Sequence, residues 1–171
     1  FNLHLYANYY QSEGPSSLIE SDFAAKIFGM HNSAAPGYTT EASSYYTVQT
    51  EVDYGNFYLK SYLQDLSIEN PVGYTLSLVD EDKSRNVIAY AEIGYAKKIN
   101  KGNLTAKGYA DYNYYAADAQ LFSKETSRYF SSLYPNLSPY PEDEGVFLIG
   151  GSSMAVFGGE VNYDYEVNDG L

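Results

Sequence analysis

In the first ten residues Phe1, Leu3, Leu5, Ala7 and Tyr9 alternate with Asn2, His4, Tyr6, Asn8 and Tyr10. A period of two puts the two sets on opposite faces of an extended chain, and it does not fit the 3.6-residue repeat of a helix. The same period returns from Tyr45 to Tyr54, from Phe57 to Leu63, from Val87 to Ala96, from Leu104 to Tyr115 and from Ala155 to Val167. Six strands are therefore predicted, over 1–10, 44–54, 57–65, 86–98, 104–116 and 155–167. Gly55-Asn56 and the run Asn100-Lys101-Gly102-Asn103 are turn chemistry and predict two tight hairpins.

The connections alternate in length. Long ones cover 11–43, 66–85 and 117–154, very short ones separate the second from the third strand and the fourth from the fifth, and so the long ones share one end. Compact soluble domains rarely carry structureless loops beyond about 12–15 residues, whereas transmembrane barrels pair short periplasmic turns with long extracellular loops. The two faces also differ. Nearly all strand charge falls in one series: His4, Glu51, Asp53, Lys60, Glu92, Lys107, Asp111, Glu160, Asp164 and Glu166. The other series carries charge only at Asp65 and Lys97, both near strand ends. Its aromatic residues gather near those ends too, with Tyr54, Phe57, Tyr95 and Tyr165 by the short turns and Tyr9, Tyr46, Tyr112 and Tyr114 toward the long loops. A lipid-facing strand must exclude charge over about 9–11 tilted residues between two aromatic girdles. The expectation is an all-β, antiparallel up-and-down meander of about six strands that is part of a transmembrane β-barrel. A soluble extracellular β-sandwich with one wet face also alternates, and binding carbohydrate through exposed tyrosines is its natural function.

Of the 171 residues 44% are hydrophobic and 17% aromatic, with 21 tyrosines and no tryptophan. Tyrosine prefers sites with one dry and one wet side. A net charge of −12 argues against the phosphate contacts that dominate nucleic-acid affinity, so no nucleic-acid partner is expected. Without cysteine there is no disulfide, thiolate metal site or cysteine nucleophile. No stretch approaches the roughly 20 apolar residues of a transmembrane helix. Phe1 opens directly in a strand, and six strands are fewer than the eight of the smallest closed barrels, so the expectation is an internal piece of a longer protein.

No catalytic, metal or cofactor site is expected. His4 and His31 are the only histidines, and no Gly-x-Ser-x-Gly elbow accompanies the serines. Asp80-Glu-Asp-Lys83 and Glu142-Asp-Glu144 are carboxylate clusters that could supply the oxygens of a calcium site, but they lack an EF-hand pattern, and solvated loop charge is the expected reading. Gly150-Gly151 and Gly158-Gly159 lack the helix and lysine of a phosphate loop and are expected to bend or bulge the start of the last strand. Loop aromatics Tyr38, Tyr74, Tyr129, Phe130, Tyr134 and Tyr140 offer a surface to a small-molecule ligand, or anchor the loops' own fold. On the polar face Tyr58, Lys60, Tyr62, Tyr90, Glu92, Lys107, Tyr109 and Asp111 are expected to line a barrel lumen.

The block 86–115, NVIAYAEIGYAKKINKGNLTAKGYADYNYY, resembles the middle barrel hairpins of TonB-dependent outer-membrane receptors. So does VFGGEVNYDYE at 156–166, where a glycine pair and an acidic residue open a strand after a long loop, and YQSEGP at 10–15 resembles that family's strand-to-loop exits. The resemblance covers most strands and little of the loops. The family's plug domain, energy-coupling box and C-terminal aromatic strand signature have no counterpart in these residues. What it implies is a bacterial outer-membrane segment that imports a scarce nutrient, such as a ferric siderophore, cobalamin or a glycan. Its partners would be outer-membrane lipid, the rest of the barrel with its plug, and an inner-membrane energy-coupling complex. A passive porin-like segment would share these strands without a plug.

Overall fold

A computed structural model describes residues 1–39, 41–69, 72, 75–79, 82–135 and 145–165. The chain forms β1 (Asn2–Ser12), β2 (Leu18–Ile19), α1 (Phe23–Phe28), a 3-10 turn (Met30–Asn32), β3 (Gly37–Tyr38), β4 (Ser43–Tyr54), β5 (Phe57–Glu69), β6 (Asp82–Ile99), β7 (Gly102–Phe122), α2 (Lys124–Leu133) and β8 (Val146–Tyr165). Six strands make one antiparallel sheet in the order β1-β4-β5-β6-β7-β8, and β2 pairs with β3 in a separate ribbon. The sheet is open: among the described residues β1 and β8 each pair on one side only.

Both tight turns lie where the residue chemistry puts them. Tyr54 pairs with Phe57 across Gly55, whose φ of 63° is available to glycine without steric cost. Ile99 pairs with Gly102 across Asn100 and Lys101, and Asn100 takes the left-handed conformation at φ 55°, which asparagine tolerates better than most residues.

At the long-loop end the strands run further than the apolar alternation predicts. The strand expected over 57–65 reaches Glu69, that over 86–98 begins at Asp82, that over 104–116 ends at Phe122, and that over 155–167 begins at Val146. The extensions are rich in Ser, Ala, Gly and charged residues, so they carry no period-two signal. A neighbouring strand supplies their hydrogen bonds whatever the side chains. Gly150 and Gly151 sit within β8 opposite Ala117 and Ala116, and Gly158 and Gly159 lie in regular pairing with Tyr109 and Gly108. The ladder therefore carries no bulge at these pairs, and the register shift between β7 and β8 falls at Gln120 to Phe122 instead. The end of the last predicted strand and its turn signal, 166–170, lie outside the described residues.

Directly opposed residues of an antiparallel pair share a face, and the five ladders carry one series across all six strands. Leu3, Val52, Leu59, Ile93, Gly108 and Gly159 form one such row, and Leu5, Thr50, Ser61, Ala91, Ala110 and Phe157 the next. The opposite face carries His4, Glu51, Lys60, Glu92, Tyr109 and Gly158 in a single row. Large apolar side chains on the first face stand open, with Ile93 61% and Phe157 78% exposed. The buried apolar residues, Ala24, Ala25, Ala35, Leu78, Val79 and Ala119, all lie at the long-loop end. The sheet thus has an apolar face with no layer upon it among the described residues.

Candidate functional site

Two regions gather the side chains that sequence singled out: the polar face of β5 to β7, and the condensed long connections at one end of the sheet.

On the polar face Tyr58 opposes Gly94, Lys60 opposes Glu92, and Tyr62 opposes Tyr90. Across the next ladder Glu92 opposes Tyr109, Tyr90 opposes Asp111 and Gly94 opposes Lys107. All eight polar-face candidates therefore form one contiguous patch. Glu92 is its centre. Its carboxylate accepts a hydrogen bond from the Tyr90 hydroxyl at 2.5 Å and lies 3.8 Å from the Lys107 ammonium, which is 3.4 Å from Glu160. The Glu92 side chain is only 13% exposed, so its charge needs both partners. Lys60 stands 5.9 Å from the Tyr58 ring centroid, within cation–π range.

Two glycines make this packing possible. A Cβ on Gly94 would overlap the Tyr58 ring, and one on Gly158 would overlap the Tyr109 ring. The rings lie over bare backbone on the neighbouring strand and cover peptide groups that glycine leaves open. Sequence reasoning missed Gly94, Gly158 and Glu160 as members of this patch. Their parity was visible, but the partner of each depends on register.

At the other end the three long connections pack on one another. Asp22, buried, accepts hydrogen bonds from the Ala25 N–H at 2.7 Å, the Ser33 hydroxyl at 2.7 Å and the Leu78 N–H at 2.6 Å. The first connection is thereby capped at α1 and tied to the second. Phe23 N–H donates to the Leu76 carbonyl at 3.2 Å, and Leu76 adopts a left-handed φ of 57° that a branched aliphatic residue rarely takes. The Thr75 hydroxyl donates to the Leu121 carbonyl, and the Thr126 hydroxyl to the Asn32 carbonyl at 2.6 Å, which joins the third connection to the other two.

Of the loop aromatics proposed as ligand surface, Tyr129 and Phe130 lie in α2 and turn into an intramolecular cluster. Phe28 meets Phe122, Tyr129 and Phe130 at ring-centroid distances of 6.0, 5.9 and 5.1 Å. They anchor the loops, which is the other reading of the same residues. Tyr38 in β3 and Tyr134 at the end of α2 are exposed. Tyr74 and Tyr140 lie outside the described residues. The structure instead opens a cavity of about 300 Å³ between the first two connections, lined by Ile19, Phe23, Lys26, Val72, Leu76 and Leu78. No signal in sequence marked it, since its walls come from segments with no shared period.

His4 sits on β1 opposite Glu51, and His31 in the 3-10 turn at the loop end. Among the described residues no group of three or more His, Asp or Glu side chains is placed to hold a metal ion. Asp80, Glu81 and 142–144 lie outside the described residues. Among the described residues no helix is long and apolar enough to cross a membrane. Comparison with protein-family models, with curated proteins and with solved structures finds no match to this chain.

Proposed function

We propose that this chain is a wall segment of a transmembrane β-barrel of the bacterial outer membrane. One observation carries the reading: register brings a nearly charge-free, apolar series onto one uncovered face of six strands, bounded by aromatic residues at both ends. Tyr46 to Tyr54, and Phe57 to Asp65, are nine residues each, at the lower end of the roughly 9–11 that a tilted strand uses to cross the apolar band. The pair at the loop-side edge fits the same frame. Arg85 holds Asp65 with Nε at 2.9 Å and Nη2 at 2.5 Å, and the Tyr46 hydroxyl donates to the same carboxylate at 3.2 Å. Such a neutralised, tyrosine-flanked pair belongs at a membrane–water boundary.

Within that class the chain is a segment of a TonB-dependent receptor, importing a scarce nutrient such as a ferric siderophore, cobalamin or a glycan. The mechanism is non-catalytic. The condensed connections, with the cavity beside Phe23 and Leu76, meet ligand first. The polar face around Glu92 and Lys107 borders the plug and the transport path, and an inner-membrane complex supplies the energy. The reading is supported by the long connections sharing one end, by the dense polar face, and by the hairpin resemblance.

These 171 residues contain no cysteine, so a single cysteine introduced here reports alone once any cysteine elsewhere in the full-length protein is replaced. Single cysteines along 87–95 of the full-length protein in vesicles are expected to react with a water-soluble maleimide at 88, 90 and 92 and to be shielded at 89, 91 and 93. Equal labelling at all positions would remove the membrane reading. Ligand uptake by cells that stops on addition of a protonophore supports the receptor, and uptake that continues favours a passive porin.

A further inference from the structure

The apolar face carries a groove of about 410 Å³ near the short-turn end. Its floor is bare backbone, because Gly108 stands directly opposite Gly159, and Ala106 adjoins them. Phe57, Ile93 and Tyr95 rise on one side and Val161 on the other. The Phe57 and Tyr95 rings pack at 4.9 Å and make that wall continuous toward the turn. These side chains share the charge-free face through the three ladders that join β5 to β8.

Beyond the groove's turn-side end lies the densest basic run of the chain. Lys97 and Lys98 close β6 and Lys101 stands in the turn, three of eight lysines in a protein of net charge −12. All three are exposed, and none forms an ion pair among the described residues. Lys97 has the parity of Tyr95 and opposes Leu104, one step beyond the Tyr95–Ala106 pair at the groove. Lys98 has the opposite parity, so the apolar channel leads to Lys97 on its own face, with Lys101 in the adjoining turn.

We propose that the groove and these lysines form a site for an anionic diacyl phospholipid of the leaflet on the short-turn side. An acyl chain lies over Gly108 and Gly159, and the phosphate meets Lys97 and Lys101. Apolar burial holds any lipid chain there, while lysines beside a membrane surface favour a headgroup with net negative charge. The complementarity of a basic cluster to that headgroup, against the acidic remainder of the chain, selects this occupant. The inference rests on the membrane reading above.

The test uses the full-length protein in nanodiscs of equal phosphatidylglycerol and phosphatidylethanolamine, extracted into mild detergent and weighed by native mass spectrometry. One phosphatidylglycerol per chain is expected to be retained, at least fivefold over phosphatidylethanolamine. Replacing Lys97, Lys98 and Lys101 together by glutamine should bring that ratio near one. Gly108→Val and Gly159→Val should each lower retained lipid at least fivefold by filling the groove. Both strands should tolerate them, since an added Cβ meets nothing nearer than 3.8 Å at Gly108 and 3.4 Å at Gly159. Retention that ignores the valines, a ratio unchanged by the glutamines, or a lipid-free dimer would overturn the site while leaving the membrane reading intact. Failure of the wild-type protein to enter the discs would remove both.

Discussion

The Tyr109 ring lies across Gly158, its directly opposed partner on the neighbouring strand, in space that any side-chain carbon at that glycine would take. Tyr58 covers Gly94 in the same way two ladders away, and the ladder between them, β6 with β7, is the one across which Glu92 and Lys107 meet. The polar face is thus packed by cross-strand pairs and not by a second layer.

This relationship predicts a coupled response. Gly158→Ala should push the Tyr109 ring off the backbone and destabilise by about 1–3 kcal/mol, the usual range for overpacking. In a Tyr109→Ala background most of that loss should vanish, because the clash has gone. A double-mutant cycle by denaturant titration checks it, and additive effects would show that the ring and glycine act independently.

Arginine at Ala91, or at Ala110 directly opposite it in the middle of the apolar face, should cost about 2–4 kcal/mol if that face meets mid-bilayer lipid. Arginine at Asn113, exposed on the polar face opposite Ile88, should change stability by no more than about 0.5 kcal/mol. Unfolding of the full-length protein from lipid vesicles measures both, and equal tolerance of the two faces would contradict the lipid assignment.

Asp22 links segments 56 positions apart by accepting the Leu78 N–H. Asp22→Ala removes an acceptor from buried donors, and each unsatisfied group costs about 1–3 kcal/mol. The loss should be local. Hydrogen exchange is expected to quicken at Ala25 and Leu78, with the amides of β5 to β7 unchanged.

Asp82 opens β6 opposite Ala119 at the loop end, only 7% exposed, and burial pushes its carboxyl above the ordinary aspartate range. A raised folded-state value means that the folded chain prefers the protonated acid. This residue's contribution is most favourable at a pH below the ordinary value and falls as pH rises through the folded one. Asp82→Asn, which stays neutral, should therefore stabilise the protein at pH 7 and have little effect at pH 3. Thermal melts at the two pH values decide it, and a loss of stability at pH 7 would point to a cationic partner.

Much of the sheet was legible in the residues themselves. Val87 to Ala96 and Leu104 to Tyr115 alternate strictly, and Gly55 and Asn100 mark their turns. Ser67, Arg85, Asp118 and Gly150 also lie in strands, yet nothing in their surroundings alternates. Their conformation follows from the ladder that reaches them. Helix α2 escaped notice for a related reason: it buries Thr126, Ser127 and Ser131, small hydroxyl side chains that leave no apolar stripe at helical spacing.

The candidate sites divide in the same way. The parity of Tyr58, Lys60, Tyr62, Tyr90, Glu92, Lys107, Tyr109 and Asp111 was readable from spacing alone, because a strand turns successive side chains to opposite faces. Which of them touch was not. The junction of Glu92 with Tyr90 and Lys107, the seats of Tyr58 and Tyr109 on glycine, the groove over Gly108 and Gly159, and the Asp22 hub all join residues on different segments. Sequence by itself determined the period, the turns and the chemistry of each face, since these are local properties of the chain. Tertiary structure decided strand length, register and the condensation of the loops, since these depend on which distant backbone groups satisfy one another.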